Sequence, residues 1–184
     1  IYLVSSSNNS FNNIITNNNL STSGVYSGNN GIELRQDFNN ITNNIITTDG
    51  TSGNRGINLG ASAGNNLIQN NTITTSGTSG NTGIYLEDTN TNNIIRNNTI
   101  TATGTTTANL GISLVSTSNN NLVEYNAFYT KGLTTANNGI ELSSSSNNTF
   151  RFNNIYAGYG AGTTDNDAIS LDRSKNNTFT SNII

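Results

Sequence analysis

The chain has 184 residues, 32% of them hydrophobic and only 9% charged, with a formal net charge of −3. A disordered chain this poor in hydrophobics carries a high net charge, so the low charge here argues against disorder, and the length allows one domain. Cys, His, Met, Pro and Trp are all absent, which leaves no disulfide framework, no thiolate metal site and no His for acid–base chemistry.

In chain order, an Ile-x-Leu pair opens the sequence at Ile1 and Leu3. It returns behind a glycine at 31–34, 56–59, 83–86, 111–114 and 139–142, and behind Ala168 at 168–171. From one Ile to the next the steps are 31, 25, 27, 28, 28 and 29 residues. A period of this size with strand-like apolar pairs predicts a solenoid. The fourth coil shows the unit. Ile84 and Leu86 alternate with Tyr85 and so share one strand face. Turn formers follow, then Asn93 with Ile95 two residues on, and after a short corner Asn98 with Ile100. A Thr-, Gly- and Ala-rich loop at 101–109 leads into the next coil.

The other coils carry the same two pairs. Second-strand pairs are Asn39/Ile41, Asn66/Ile68, Asn93/Ile95, Asn121/Val123, Asn148/Phe150 and Asn177/Phe179. Third-strand pairs are Asn18/Leu20, Asn44/Ile46, Asn71/Ile73, Asn98/Ile100, Asn126/Phe128, Asn153/Ile155 and Asn182/Ile184. The first coil leaves two choices for its second strand, Asn9/Phe11 or Asn13/Ile15. Stacked coils place each aliphatic on its equivalent about 4.8 Å away. Each Asn then meets an Asn, and its amide both donates and accepts along the axis. Asn also tolerates the left-handed backbone of a sharp corner, so both properties are expected of these paired Asn.

The strings "SSNNTFRFNNI" at 145–155 and "SKNNTFTSNII" at 174–184 resemble the repeats of right-handed parallel β-helix proteins, the pectate-lyase-like superfamily. The resemblance covers nearly the whole chain. It implies an all-β, single-stranded right-handed parallel β-helix of six to seven coils, forming one domain over 1–184. That family includes polysaccharide lyases and hydrolases, copper-enzyme accessory proteins and surface proteins, so the fold does not choose an activity.

Chemistry is sparse on this register. Glu33 and Glu141 share an outward column four coils apart, about 19 Å at the strand spacing, too far for the paired carboxylates of glycoside hydrolysis. Glu87 and Asp88 are turn neighbours, and no catalytic residue is assigned. Asp165-Asn166-Asp167 reads as a polar turn rather than a calcium loop. Neither a metal nor a cofactor is expected. The seven Lys and Arg are scattered singly, which argues against nucleic acid. No apolar run reaches the roughly 20 residues of a membrane span. Arg96, Glu124 and Arg151 fall on consecutive coils and are expected to pair.

The feature left over is aromatic. Tyr125 and Tyr129 in the fifth coil, then Phe152 and Tyr156 in the sixth, occupy outward positions assigned to the third strand, which are mostly Asn and Thr in earlier coils. The register stacks Tyr125 on Phe152 and Tyr129 on Tyr156, with Tyr159 nearby. This platform is the candidate ligand-binding surface, facing either a sugar or a folded-over loop at 157–167. Outward Thr72/Thr74 and Thr99/Thr101 form an array too small for ice binding.

The leading expectation is a non-catalytic, secreted or cell-surface structural solenoid. Ile1 and Ile184 are core positions without caps, so the chain reads as a segment of a longer solenoid or as a unit that stacks end to end into filaments. The alternative is a carbohydrate-binding or polysaccharide-processing β-helix whose catalytic coil lies outside this segment.

Overall fold

A computed structural model describes residues 1–3, 12–158 and 165–184. Tyr159, Asn9 and Phe11, and most of the loop expected over the aromatic rings, lie outside the described residues. Every strand pairing is parallel and joins one coil to the next, giving three sheets wrapped around one core. The first sheet holds Tyr2–Leu3, Asn30–Leu34, Arg55–Leu59, Thr82–Leu86, Leu110–Val115, Ile140–Ser143 and Ile169–Asp172. The second runs from Ile14–Thr16 through Ile94–Arg96 to Thr178–Thr180. The third runs from Asn19–Gly24 through Thr99–Thr103 to Asn154–Tyr156. This is the parallel β-helix expected from the repeat.

The core is built in columns. Ile32, Ile57, Ile84, Ile112 and Ile140 lie in register and are fully buried, as are Leu34, Leu59, Leu86, Leu114 and Leu142 behind them. The second sheet contributes Ile41, Ile68, Ile95, Val123 and Phe150, and the third Ile46, Ile73, Ile100, Phe128 and Ile155. In the first coil, Ile15 pairs with Ile41, which selects Asn13/Ile15 as the second-strand pair. The glycine of each signature is steric. A Cβ on Gly56 would collide with Ile73 Cγ2 and stand 2.7 Å from the Gly83 carbonyl oxygen. The third strand of each coil therefore closes on the first only where the first has no side chain.

Asn side chains hold the corners. One ladder runs Asn13, Asn39, Asn66, Asn93, Asn121, Asn148 and Asn177, and a second Asn18, Asn44, Asn71, Asn98, Asn126, Asn153 and Asn182. Asn98 shows the unit. Its Oδ1 accepts from the Asn71 backbone N–H at 2.9 Å and from Asn71 Nδ2 at 3.0 Å. Its Nδ2 donates to Asn126 Oδ1, the Ile68 carbonyl and the Arg96 carbonyl, each at 3.0 Å. Asp at this position has no donor and stacks like charges at the coil spacing, so only a carboxamide satisfies the buried column.

The left-handed residue, however, is not the ladder residue. Positive φ falls one position earlier, at Asn43, Asn70 and Asn97 (57°, 55° and 55°) and at Asn65, Asn92 and Asn120 (55°, 59° and 58°). The Asn-Asn doublets thus divide the work: the first Asn turns the chain in solvent and the second stacks inside. The physical reason is that a single residue cannot both take the bend and aim its amide along the axis.

A third ladder closes the remaining corner, running Asn29, Asn54, Asn81, Asn109, Asn137 and Asn166 with Nδ2–Oδ1 distances of 2.7 to 3.0 Å. Each member stands two residues before the signature glycine or Ala168, a spacing visible in the sequence but not used above. Asn166 within Asp165-Asn166-Asp167 is thereby a ladder residue.

These roles separate two neighbouring residues. Asn98→Ala strands buried donors and acceptors on adjacent coils and is expected to lower unfolding stability by about 3 kcal/mol or more. Asn97→Ala keeps the ladder and is expected to cost about 1 kcal/mol of left-handed backbone preference. Urea unfolding midpoints check both, and equal losses would contradict the division of roles.

Candidate functional site

The outward face of the first sheet gathers Glu33, Arg35, Arg55, Glu87 and Glu141. Glu33, Asn58, Tyr85, Ser113 and Glu141 stand in one column, and Asn30, Arg55 and Thr82 in the column beside it. Glu33 is held by Arg35 Nη2 at 3.1 Å and by Asn30 Nδ2 at 2.8 Å. Arg35 lies across Gly60, where a Cβ would stand 2.7 Å from its Cγ. The Arg55 guanidinium sits over the Tyr85 ring, 3.8 Å from its centroid, a cation–π contact that fixes both side chains.

Between these groups lies a cleft of about 420 Å³, lined chiefly by Asn30, Glu33, Arg35, Arg55, Asn58 and Glu87. Glu87 belongs to the third such coil counted from Glu33 and still reaches the same cleft, so the acids do converge with cations here. The sequence reading, which looked for acids on adjacent coils, did not bring them together. Asn58 is only 2% exposed although it points outward. Its Oδ1 and the Oδ1 of Asn30 are buried without a hydrogen-bond partner. A buried carbonyl oxygen left without a donor costs free energy, and Asn40 Oδ1 on the second sheet is in the same state.

Further along the column, burial raises the Glu141 carboxyl above its usual range, against hydrogen bonds from Asn138 at 3.4 Å and Ser113 at 3.5 Å. Burial likewise raises the Tyr85 phenol, with Arg55 opposing and Glu87 and Glu141 adding to the rise. Among the described residues no three His, Cys, Asp or Glu side chains cluster as a metal-binding group.

The aromatic residues assemble on another face. Tyr125 and Phe152 stack with ring centroids 5.0 Å apart and planes 11° from parallel. Tyr129 and Tyr156 stack at 5.1 Å and 1°. All four rings are exposed, between 42% and 54%. Only Tyr129 and Tyr156 belong to third-sheet strands, Ala127–Lys131 and Asn154–Tyr156. Tyr125 and Phe152 are at the preceding corner, with φ of 56° and 55°, in the left-handed place that Asn43, Asn70 and Asn97 fill in earlier coils. Their assignment to the third strand is corrected accordingly. The charged column pairs once: Arg151 Nε meets Glu124 Oε2 at 2.8 Å, while Arg96 Nε turns to Gln69 Oε1 at 2.7 Å.

A family model described as the right-handed β-helix region matches residues 1–164. The chain belongs to the right-handed β-helix family. No curated protein matches its sequence. Crystal structures of the periplasmic alginate epimerase AlgG share the fold. A double mutant of AlgG aligns with a TM-score of 0.61 at 18% identity, covering 94% of this chain and 46% of AlgG. Unsubstituted AlgG gives 0.56 at 17%, covering 89% and 43%. A single mutant gives 0.56 at 18%, covering 92% and 44%. This β-helix therefore spans less than half the length of the AlgG chains.

Glu141 provides a test of the buried face. Its folded carboxyl keeps a proton to higher pH than the unfolded one, so its share of stability is full below pH 4.5 and is lost as pH rises through the raised value. Glu141→Gln keeps one acceptor oxygen for the Asn138 amide, and its own amide N–H can donate to the Ser113 hydroxyl. Its melting temperature relative to wild type is expected to climb between about pH 4.5 and neutrality. Parallel melting curves across that window would show that burial does not shift the group.

Proposed function

We propose that this β-helix binds a polysaccharide along the outward face of its first sheet, acting as a rigid extracytoplasmic scaffold for an extended chain. The observation that carries the reading is the cleft in which Glu33 and Glu87 meet Arg35 and Arg55, with Asn30 and Asn58 in its lining. Sugar hydroxyls donate to the carboxylates and accept from the guanidinium groups, so one hydroxyl-rich ligand answers both kinds of group. A sheet built from repeating coils offers such contacts along a line, which suits a polymer. The periplasmic alginate epimerase neighbours support both a polysaccharide ligand and a location outside the cytoplasm, whether periplasmic, secreted or at the cell surface.

The scaffold part of this reading rests on the three ladders. They tie every corner to the corners above and below, so the face they support stays straight. Catalysis is not part of the proposal; Tyr85 and Glu141 are read as groups that shape and charge the binding face.

Titration calorimetry with alginate and with neutral glucans tests the cleft. Asn58→Leu removes a partnerless buried acceptor and is expected to leave melting temperature unchanged or higher while weakening binding about tenfold. Arg55→Ala is expected to weaken binding of an acidic polymer more than that of a neutral one. Unchanged binding in Asn58→Leu, or a loss of stability in its place, would overturn the reading.

A further inference from the structure

The first-sheet cleft leaves the aromatic face unaccounted for. Three observations bear on it. The rings stack coil over coil, so Phe152 and Tyr156 each cover one face of Tyr125 and Tyr129. The opposite faces of Tyr125 and Tyr129 are turned toward the fourth coil, whose residues there are small. Two clefts open at that step. One of about 420 Å³ sets Tyr125 beside Asn97 and Thr99, and one of about 360 Å³ sets Tyr129 beside Thr101, Thr103 and Lys131. The fourth and fifth coils thus meet at a ledge with aromatic walls, its floor polar beside Tyr125 and apolar beside Tyr129.

The walls are also costly to place. A bulky aromatic residue at positive φ is a genuine outlier, stabilised only by its surroundings. Coils two, three and four fill this corner with Asn43, Asn70 and Asn97 at nearly the same φ. Coils five and six put Tyr125 and Phe152 there instead, side by side and about half exposed. Neither ring contributes to the buried core. What the fold gains from them is one exposed stack, set against a backbone cost that Asn would lower.

We propose that this ledge is a second saccharide site, separate from the first-sheet cleft, that stacks sugar rings on the free faces of Tyr125 and Tyr129. A pyranose is amphipathic in the matching sense: its C–H face packs on an aromatic ring while its hydroxyls reach polar neighbours. Here those neighbours are Asn97 and Thr99 beside Tyr125, while Thr101 and Thr103 add apolar surface beside Tyr129. An apolar peptide would cover the rings and leave the polar floor beside Tyr125 unpaired. Ala127, outward between the two walls and paired with Thr99, leaves a passage from one ring to the other. Four residues of extended chain reach at most about 13 Å, so the two walls, both in the fifth coil, suit an oligosaccharide lying along the step between the fourth and fifth coils. The lining carries one charge, Lys131, and the ledge accordingly takes neutral chains that the Arg-lined cleft does not require.

The test titrates uncharged hexasaccharides of glucose, mannose and xylose into the protein and follows the ring protons of Tyr125 and Tyr129 by NMR. Binding of at least one member is expected to shift both sets of signals. Tyr129→Ala is expected to weaken that binding about tenfold. Tyr125→Asn restores the residue type of the earlier coils. It is expected to raise the melting temperature and still weaken binding. Asn58→Leu is expected to leave these shifts intact, which separates this ledge from the first-sheet cleft. The proposal is overturned if no panel member moves the Tyr signals, if Tyr125→Asn destabilises the fold, or if Tyr129→Ala abolishes self-association instead of sugar binding.

Discussion

The stacked Asn carboxamide is the interaction on which this molecule depends. Each ladder amide satisfies its own donors and oxygen and also a backbone N–H in the neighbouring coil. That arrangement requires coils to repeat at one spacing and one rotation, or the amides fall out of reach. It also removes corner hydrogen bonding from solvent, which allows a chain with so few hydrophobic residues to keep a continuous core. Aliphatic columns then need only one residue per strand in the second and third sheets and two in the first.

Because the interior is settled by repetition, the outward positions are free to differ. They differ in two places. On the first sheet, Glu33, Asn58, Tyr85 and Glu141 replace one another in a single column and collect Arg35 and Arg55 from its flanks. On the third and at the corner before it, the Asn and Thr of early coils give way to Tyr125, Tyr129, Phe152 and Tyr156. Each surface departs from what the stack itself requires: one leaves buried acceptors without donors, and the other places aromatics on left-handed backbone.

The fold was legible in the sequence because period-two apolar pairs and the Gly-Ile-x-Leu phase are local, repeated signals. The aromatic stacking was legible for the same reason, since register follows from the repeat. The corner was less so. Asn43 and Asn44 look alike in a string, and only backbone angles show that one bends and the other stacks. The same ambiguity moved Tyr125 onto a strand that begins two residues later, at Ala127. The third ladder lies behind loops of unequal length, although its spacing to the glycine is constant. Asn58 was hidden for a different reason. It stands at an outward position of the repeat and is buried all the same, which no periodicity reports.

The ladders also give the solenoid a direction. In all three columns Nδ2 donates to the Oδ1 of the next coil, never the reverse. Parallel sheets have little net dipole of their own. The aligned carboxamides therefore add up to an electrical polarity along the long axis, and a charged polymer lying lengthwise on the first sheet would meet inequivalent fields in its two possible orientations.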